Sequence, residues 1–120
     1  MSLLAQVETA SFGDVIVAAV TGELDRSNVD EVRERLLELV PSDASGVVID
    51  FSKLRYIDSA GMDMLFDLQR RLVMRRAALA LCLPKGAVVN RALTLAGVTV
   101  LIPFGNDLPA AVESLSGAED

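Results

Sequence analysis

The sequence predicts a single α/β domain with the element order β-β-α-β-α-β-α-β-α. Its sheet is expected to be mixed and mostly parallel, with an antiparallel strand at the N-terminus. Three observations lead there. Short unbroken apolar runs, "VVIDF" (47–51) and "AALALCL" (77–83), read as strands buried on both faces. Stretches with apolar residues at helical spacing alternate with them, which implies parallel pairing through right-handed crossovers. The first two strand-like runs are separated only by "SFGD" (11–14), which is too short for a crossover and suits a hairpin.

The elements follow in order. "LLAQVETA" (3–10) and "DVIVAAVTG" (14–22) form the opening hairpin. In "ELDRSNVDEVRERLLELVP" the period changes, and Val29, Val32, Leu36, Leu39 and Val40 recur at helical spacing. Asn28 followed by Glu31 is a capping-box pattern, and Asp30 and Glu31 suit the positive end of the helix dipole. Pro41 stops that helix, and "SDASG" forms the next loop. After the strand at 47–51 and the loop "SKLRYIDSAG", a second helix runs from about Met62 to Arg75. Its apolar side is Met62, Leu65, Phe66, Leu68, Leu72 and Val73.

The strand at 77–83 precedes "PKGAVVNRALTLAG", a third helix. Val88, Val89, Ala92, Leu93 and Ala96 share one side of it, and Gly97 is placed to end it. "VTVLIPF" (98–104) is expected to be the last strand. "NDLPAAVESLS" is the last helix, with Pro109 in its first turn, and residues 117–120 form a frayed tail. A chain of 120 residues is most simply one domain, 1–120, with its core at about 4–116.

Composition excludes several function classes. Seventeen acidic and eleven basic residues give a net charge of −6, the wrong sign for direct nucleic-acid binding through phosphate neutralisation. The arginines Arg70, Arg71, Arg75 and Arg76 cluster on one helix and read as a solvated face, or as a docking surface for an acidic partner. No run approaches the ~18 apolar residues that span a bilayer, so no membrane insertion is expected. The N-terminus lacks a basic n-region and a long apolar run, so it is not read as a secretory signal, and a cytoplasmic location is expected. A single cysteine, Cys82, leaves no internal disulfide, and its apolar setting makes it a small buried hydrophobe. With no histidine there is no Ser-His-Asp or Cys-His catalysis and no His-containing metal site. Neither phosphate-cradling glycine motif occurs. No metal, no cofactor and no enzymatic activity are expected.

The junction "YIDSAGMDM" (56–64) draws attention next. Asp58 and Ser59 are both good N-caps, and Gly61 tolerates a tight turn. Capping alone would account for this stretch. Asp50 invites comparison with a response-regulator receiver, a similar-sized α/β domain. A receiver needs an acidic pair after its first strand to hold Mg²⁺ and a lysine at the end of its fifth strand, and this chain offers neither.

Three blocks match another family. "VTGELDRSNVDEVRERL" resembles the opening signature of the STAS domain family (sulfate transporter and anti-sigma factor antagonist), specifically its bacterial anti-sigma-factor antagonists. "VVIDFSKLRYIDSAGMDML" resembles the family's second and more specific signature, an Asp-Ser-Ser/Ala-Gly turn leading into a helix. "RALTLAGVTVLIPF" resembles the third block. The likeness covers nearly the whole chain, in order.

The resemblance implies partner switching. The unphosphorylated domain binds an anti-sigma factor, usually a serine kinase of the histidine-kinase-like ATPase type, and so frees a sigma factor. The kinase phosphorylates the serine of the Asp-Ser turn, and a phosphatase restores the binding form. Carried across, the phosphoacceptor is Ser59, and the partner surface comprises Asp25, Asp58, Ser59, Ala60, Gly61 and Met62. Ala60 stands where many relatives have a second serine, which leaves one candidate hydroxyl in the turn. Met62 and Met64 could instead fill the core. Other roles for such a domain are a subunit of a lipid-handling ABC transporter that binds its ATPase, or a stressosome-type scaffold. The sequence leaves monomer and weak dimer both open.

Overall fold

The computed structural model describes residues 5–118. The chain enters as a hairpin, β1 (Ala5–Phe12) and β2 (Val15–Leu24), joined by Gly13 and Asp14. All eight pairs from Ala5↔Gly22 to Phe12↔Val15 are antiparallel and in unbroken register. Then follow α1 (Val29–Leu39), β3 (Gly46–Asp50), β4 (Leu54–Ile57) and α2 (Ser59–Met74). The chain closes with β5 (Ala78–Cys82), α3 (Asn90–Leu95), α4 (Val98–Leu101), β6 (Phe104–Gly105) and α5 (Leu108–Ala118). The predicted α/β class holds: the sheet order is β1-β2-β3-β5-β6, with the strands after the hairpin parallel to β2.

Side chains alternate across this sheet with a period of two. Val47 and Ile49 of β3, with Leu79 and Leu81 of β5, point into the larger core under α1, α2 and the α3–α4 segment. Val48, Ala80 and Cys82 point the other way, against Ala111 and Leu115 of α5. That double burial explains the continuous apolar runs of β3 and β5. Among the described residues no helix is long and apolar enough to cross a membrane.

Four element assignments change. β4 is a strand where the sequence predicts a loop: it lies off the main path and pairs in parallel with the end of β2, Gly22↔Leu54 and Leu24↔Ile57. Helix α2 begins at Ser59, not Met62. The third helix is shorter than expected, because turns occupy 85–89 and α3 starts only at Asn90. Asn90 Nδ2 there holds the carbonyls of Leu83 and Pro84.

The fourth change is the largest. "VTVLIPF" is not a strand over 98–104. Gly97, at φ +81, ends α3 in the left-handed conformation and redirects the chain into α4. Val98 and Ile102, four residues apart, both reach the core in this helical form. Only Phe104 and Gly105 remain to pair with β5. At the N-terminus, residues 3–4 of the expected first strand lie outside the described residues. Of the expected tail at 117–120, α5 takes in 117 and 118, and 119–120 lie outside the described residues.

Candidate functional site

The site forms where the carboxyl ends of β2 and β4 meet the N-terminus of α2. Parallel pairing of Leu24 with Ile57 sets the loop after β2 beside the loop after β4. The two sequence signatures, far apart in the chain, therefore share one edge of the sheet.

Asp58 joins them. It is the N-cap of α2, in extended conformation, and its Oδ1 accepts the Gly61 N–H at 3.0 Å. Its Oδ2 accepts the Arg26 N–H from the β2–α1 loop at 3.2 Å. Its own N–H donates to the Leu24 carbonyl at 3.2 Å. A single residue thus satisfies a helix terminus and ties two loops. Gly61 is required by close packing: a Cβ there would meet Ile57 Cγ1 at 2.6 Å and the Leu24 carbonyl oxygen at 3.0 Å.

Ser59 is the first residue of α2 and is exposed. It is therefore not the cap; Asp58 performs that role alone. The hydroxyl stands at the positive end of a 16-residue helix, open to solvent. Ala60 and Met62 are half-buried and pack on the core, while Met64 is fully buried within it. Tyr56, near the end of β4, is about half exposed.

Asp25 is half-buried and holds its own loop. Its Oδ1 accepts the Ser27 N–H at 2.9 Å and the Ser27 hydroxyl at 2.6 Å. Asn28 supplies the other half of that loop, and here the capping-box expectation fails. Asn28 makes no side-chain cap to α1. Its Oδ1 accepts the Asp25 N–H at 3.0 Å and its Nδ2 donates to the Glu23 carbonyl at 2.9 Å. It is a buried polar residue, spent on shaping 23–25 rather than on the helix. Sequence reasoning missed this because Asn before an amphipathic helix is a normal N-cap signal.

Arg70, Arg71, Arg75 and Arg76 are all exposed, as a solvated face requires, and three of them also make polar contacts along and between α1 and α2. Arg71 pairs with Asp67 at 3.1 Å and reaches across to Glu34 of α1 at 3.7 Å. Arg70 pairs with Asp67 at 3.3 Å, and Arg33 of α1 comes within 3.7 Å of the same carboxylate. Arg75 donates to the carbonyls of Leu37 and Val40 at the C-terminal end of α1. These groups fasten α1 to α2. Of them, Arg33, Asp67 and Arg70 border a shallow groove of about 310 Å³ beside Ala60, lined also by Asp30 and Asp63.

Cys82 is buried, as expected. Burial, then the adjacent Asp50 carboxylate, which accepts a hydrogen bond from the thiol, pushes its pKa up to about 11. It is not a nucleophile at neutral pH.

Comparisons with known proteins bear on the family and the fold. A family model described as "STAS domain" matches residues 6–111. The chain is 24% identical over 110 residues to the anti-sigma F factor antagonist of Paenibacillus polymyxa, covering 90% of this chain and 93% of that one. Its fold is similar to the crystal structure of an anti-sigma factor antagonist from Mycobacterium paratuberculosis. That match has a TM-score of 0.74 at 20% identity and covers 97% and 95% of the two chains. It is also similar to the anti-sigma factor antagonist SpoIIAA in its unphosphorylated form, with a TM-score of 0.68 at 20% identity over 94% and 96% of the chains.

Proposed function

This chain belongs to the STAS domain family, and on that premise we propose that it is an anti-sigma-factor antagonist switched by phosphorylation of Ser59. In this reading it binds an anti-sigma factor that is a serine kinase of the histidine-kinase-like ATPase type, and that binding releases a sigma factor. It acts as a binding partner and a substrate, not as an enzyme, and a phosphatase returns it to the binding form. The observation that carries the reading is the exposure of Ser59 at the first position of α2, directly beside the Asp58 clasp.

The physics of the switch is local. Phosphorylation adds about −1.5 to −2 charge and three strong acceptor oxygens. At the N-terminus of a helix that charge meets the positive dipole end, so α2 keeps its structure. The Asp58 carboxylate, already committed to two backbone donors, stays in place beneath the phosphate. What changes is the surface: a neutral hydroxyl becomes a bulky dianion next to an existing carboxylate. A partner that closes over Ser59 loses its fit and must desolvate an unpaired charge, which is costly. Asp25, Ala60 and Met62, each half-buried, border the same partner surface in this reading; Gly61, expected there as well, is buried against Ile57 and Leu24 and shapes the turn from beneath.

The test is incubation with candidate kinases and ATP, mass mapping of the phosphate, and a binding titration. Ser59→Asp is expected to bind the cognate anti-sigma factor at least tenfold more weakly, and Ser59→Ala to bind constitutively. Tight binding by Ser59→Asp, or phosphate mapped elsewhere by every candidate kinase, refutes the mechanism.

A further inference from the structure

The α3–α4 segment shows apolar side chains where a lone domain would bury them. Val88, Leu95, Val100 and Leu101 are 70%, 73%, 83% and 64% exposed. The apolar pattern of this stretch predicts burial, yet α3 buries only Leu93 and α4 only Val98. A β-branched, strand-like sequence is held as a short helix with Val100 and Leu101 facing out. Such conflict between local sequence and global placement concentrates at functional surfaces. Together the four residues expose on the order of 500 Å², within the range of the largest apolar patch on an ordinary monomer, which is often functional.

Resting on the reading of Ser59 above, we infer that the same partner also covers the α3–α4 segment with an apolar surface rimmed by acidic residues. Two observations identify this occupant. The first is charge. Between Pro84 and Asn106 the only charged residues are Lys85 and Arg91, both basic, in a chain of net charge −6. A two-fold contact between copies of this chain would set basic rim against basic rim, which is unfavourable. An acidic rim on a different protein complements it.

The second observation is continuity with the switch. Gln69 Nε2 of α2 donates to the Leu101 carbonyl at 3.4 Å. Gln69 lies ten residues beyond Ser59 on the same helix, about 15 Å along its axis. A standard interface buries about 800 Å² per partner, more than the patch alone provides and enough to reach from it to Ser59. The patch then supplies steady affinity, and Ser59 at the other end supplies control.

The experiment is a calorimetric titration of the full-length chain against each histidine-kinase-like anti-sigma factor encoded in the same genome. It compares wild type, the double variant Leu95→Ser/Val100→Ser, Arg91→Glu and Ser59→Asp, with melting temperatures for each. The double variant is expected to bind at least tenfold more weakly, and Arg91→Glu at least threefold more weakly, both with wild-type melting. If Ser59→Asp abolishes binding while the double variant and Arg91→Glu stay within twofold of wild type, the patch inference is overturned and the reading of Ser59 stands. If no candidate binds the wild-type chain, both fall. If sedimentation shows wild-type dimers that the double variant dissolves without loss of partner binding, the occupant is a second copy and the inference is overturned. Should the double variant melt early, Arg91→Glu, at an exposed position, decides alone.

Discussion

The carboxylate of Asp58 accepts the backbone N–H of Arg26 at 3.2 Å, across 32 positions of sequence. Its other oxygen caps α2 through Gly61. The residue beside the candidate phosphoacceptor is therefore also the fastener between the two signature loops. Asp58→Ala removes both bonds. A lost N-cap costs about 1 kcal/mol, and a second carboxylate–amide bond adds a comparable amount. We expect about 1–3 kcal/mol of destabilisation by denaturant unfolding. Faster hydrogen exchange at the Arg26 and Gly61 amides, with the rest of the sheet protected, would identify the clasp as the cause.

Gly61→Ala tests the close approach of α2 to the end of β2. On helix propensity alone the change gains up to about 1 kcal/mol. The contacts with Ile57 Cγ1 and the Leu24 carbonyl oxygen reverse the sign. Net destabilisation of about 1–3 kcal/mol is expected. Combined with Ile57→Ala, which removes the clashing Cγ1, the double variant should cost less than the sum of the two single changes; a purely additive double variant would contradict this account.

Asn28 separates a cap from a loop brace. A simple N-cap loses little when changed to Asp, since both are good caps. In this structure Asn28 Nδ2 is the donor to the Glu23 carbonyl, and a carboxylate has no donor to replace it. Asn28→Asp is expected to cost about 1–3 kcal/mol at neutral pH, comparable with Asn28→Ala. A neutral Asn28→Asp would return the residue to the role of an ordinary cap.

Cys82 predicts an alkaline limb in stability. Its thiol is raised in the folded chain from an ordinary 9.0 to about 11. Between those values the unfolded chain has released the proton and the folded chain still holds it. Stability from this group is thus complete below pH 9.0 and is lost as pH rises towards about 11. Cys82→Ala should flatten that limb in a denaturant series from pH 8 to 11. At pH 8 the native thiol should also react with a thiol reagent far more slowly than the unfolded one.

The apolar runs at 47–51 and 77–83, the helical spacing between them and the short link at 11–14 determined the α/β class, the hairpin and the parallel core. These features are written in local period and composition, and the doubly buried strands show why the runs are unbroken. The Asp-Ser turn was equally legible, because a cap, a small residue and a glycine at fixed spacing leave few conformations open. Only the tertiary structure decided the rest. Leu54–Ile57 has Arg55 and Tyr56 exposed at its centre, so nothing in its pattern marks a strand; it becomes one because β2 runs long and offers an edge. Residues 98–101 have a strand's composition, yet the left-handed Gly97 and the need to bury both Val98 and Ile102 make them a helix. Asn28 and Asp58 took their bonding roles from loops brought together by β2–β4 pairing. Periodicity records which side chains seek burial; it does not record which distant backbone groups will need a partner.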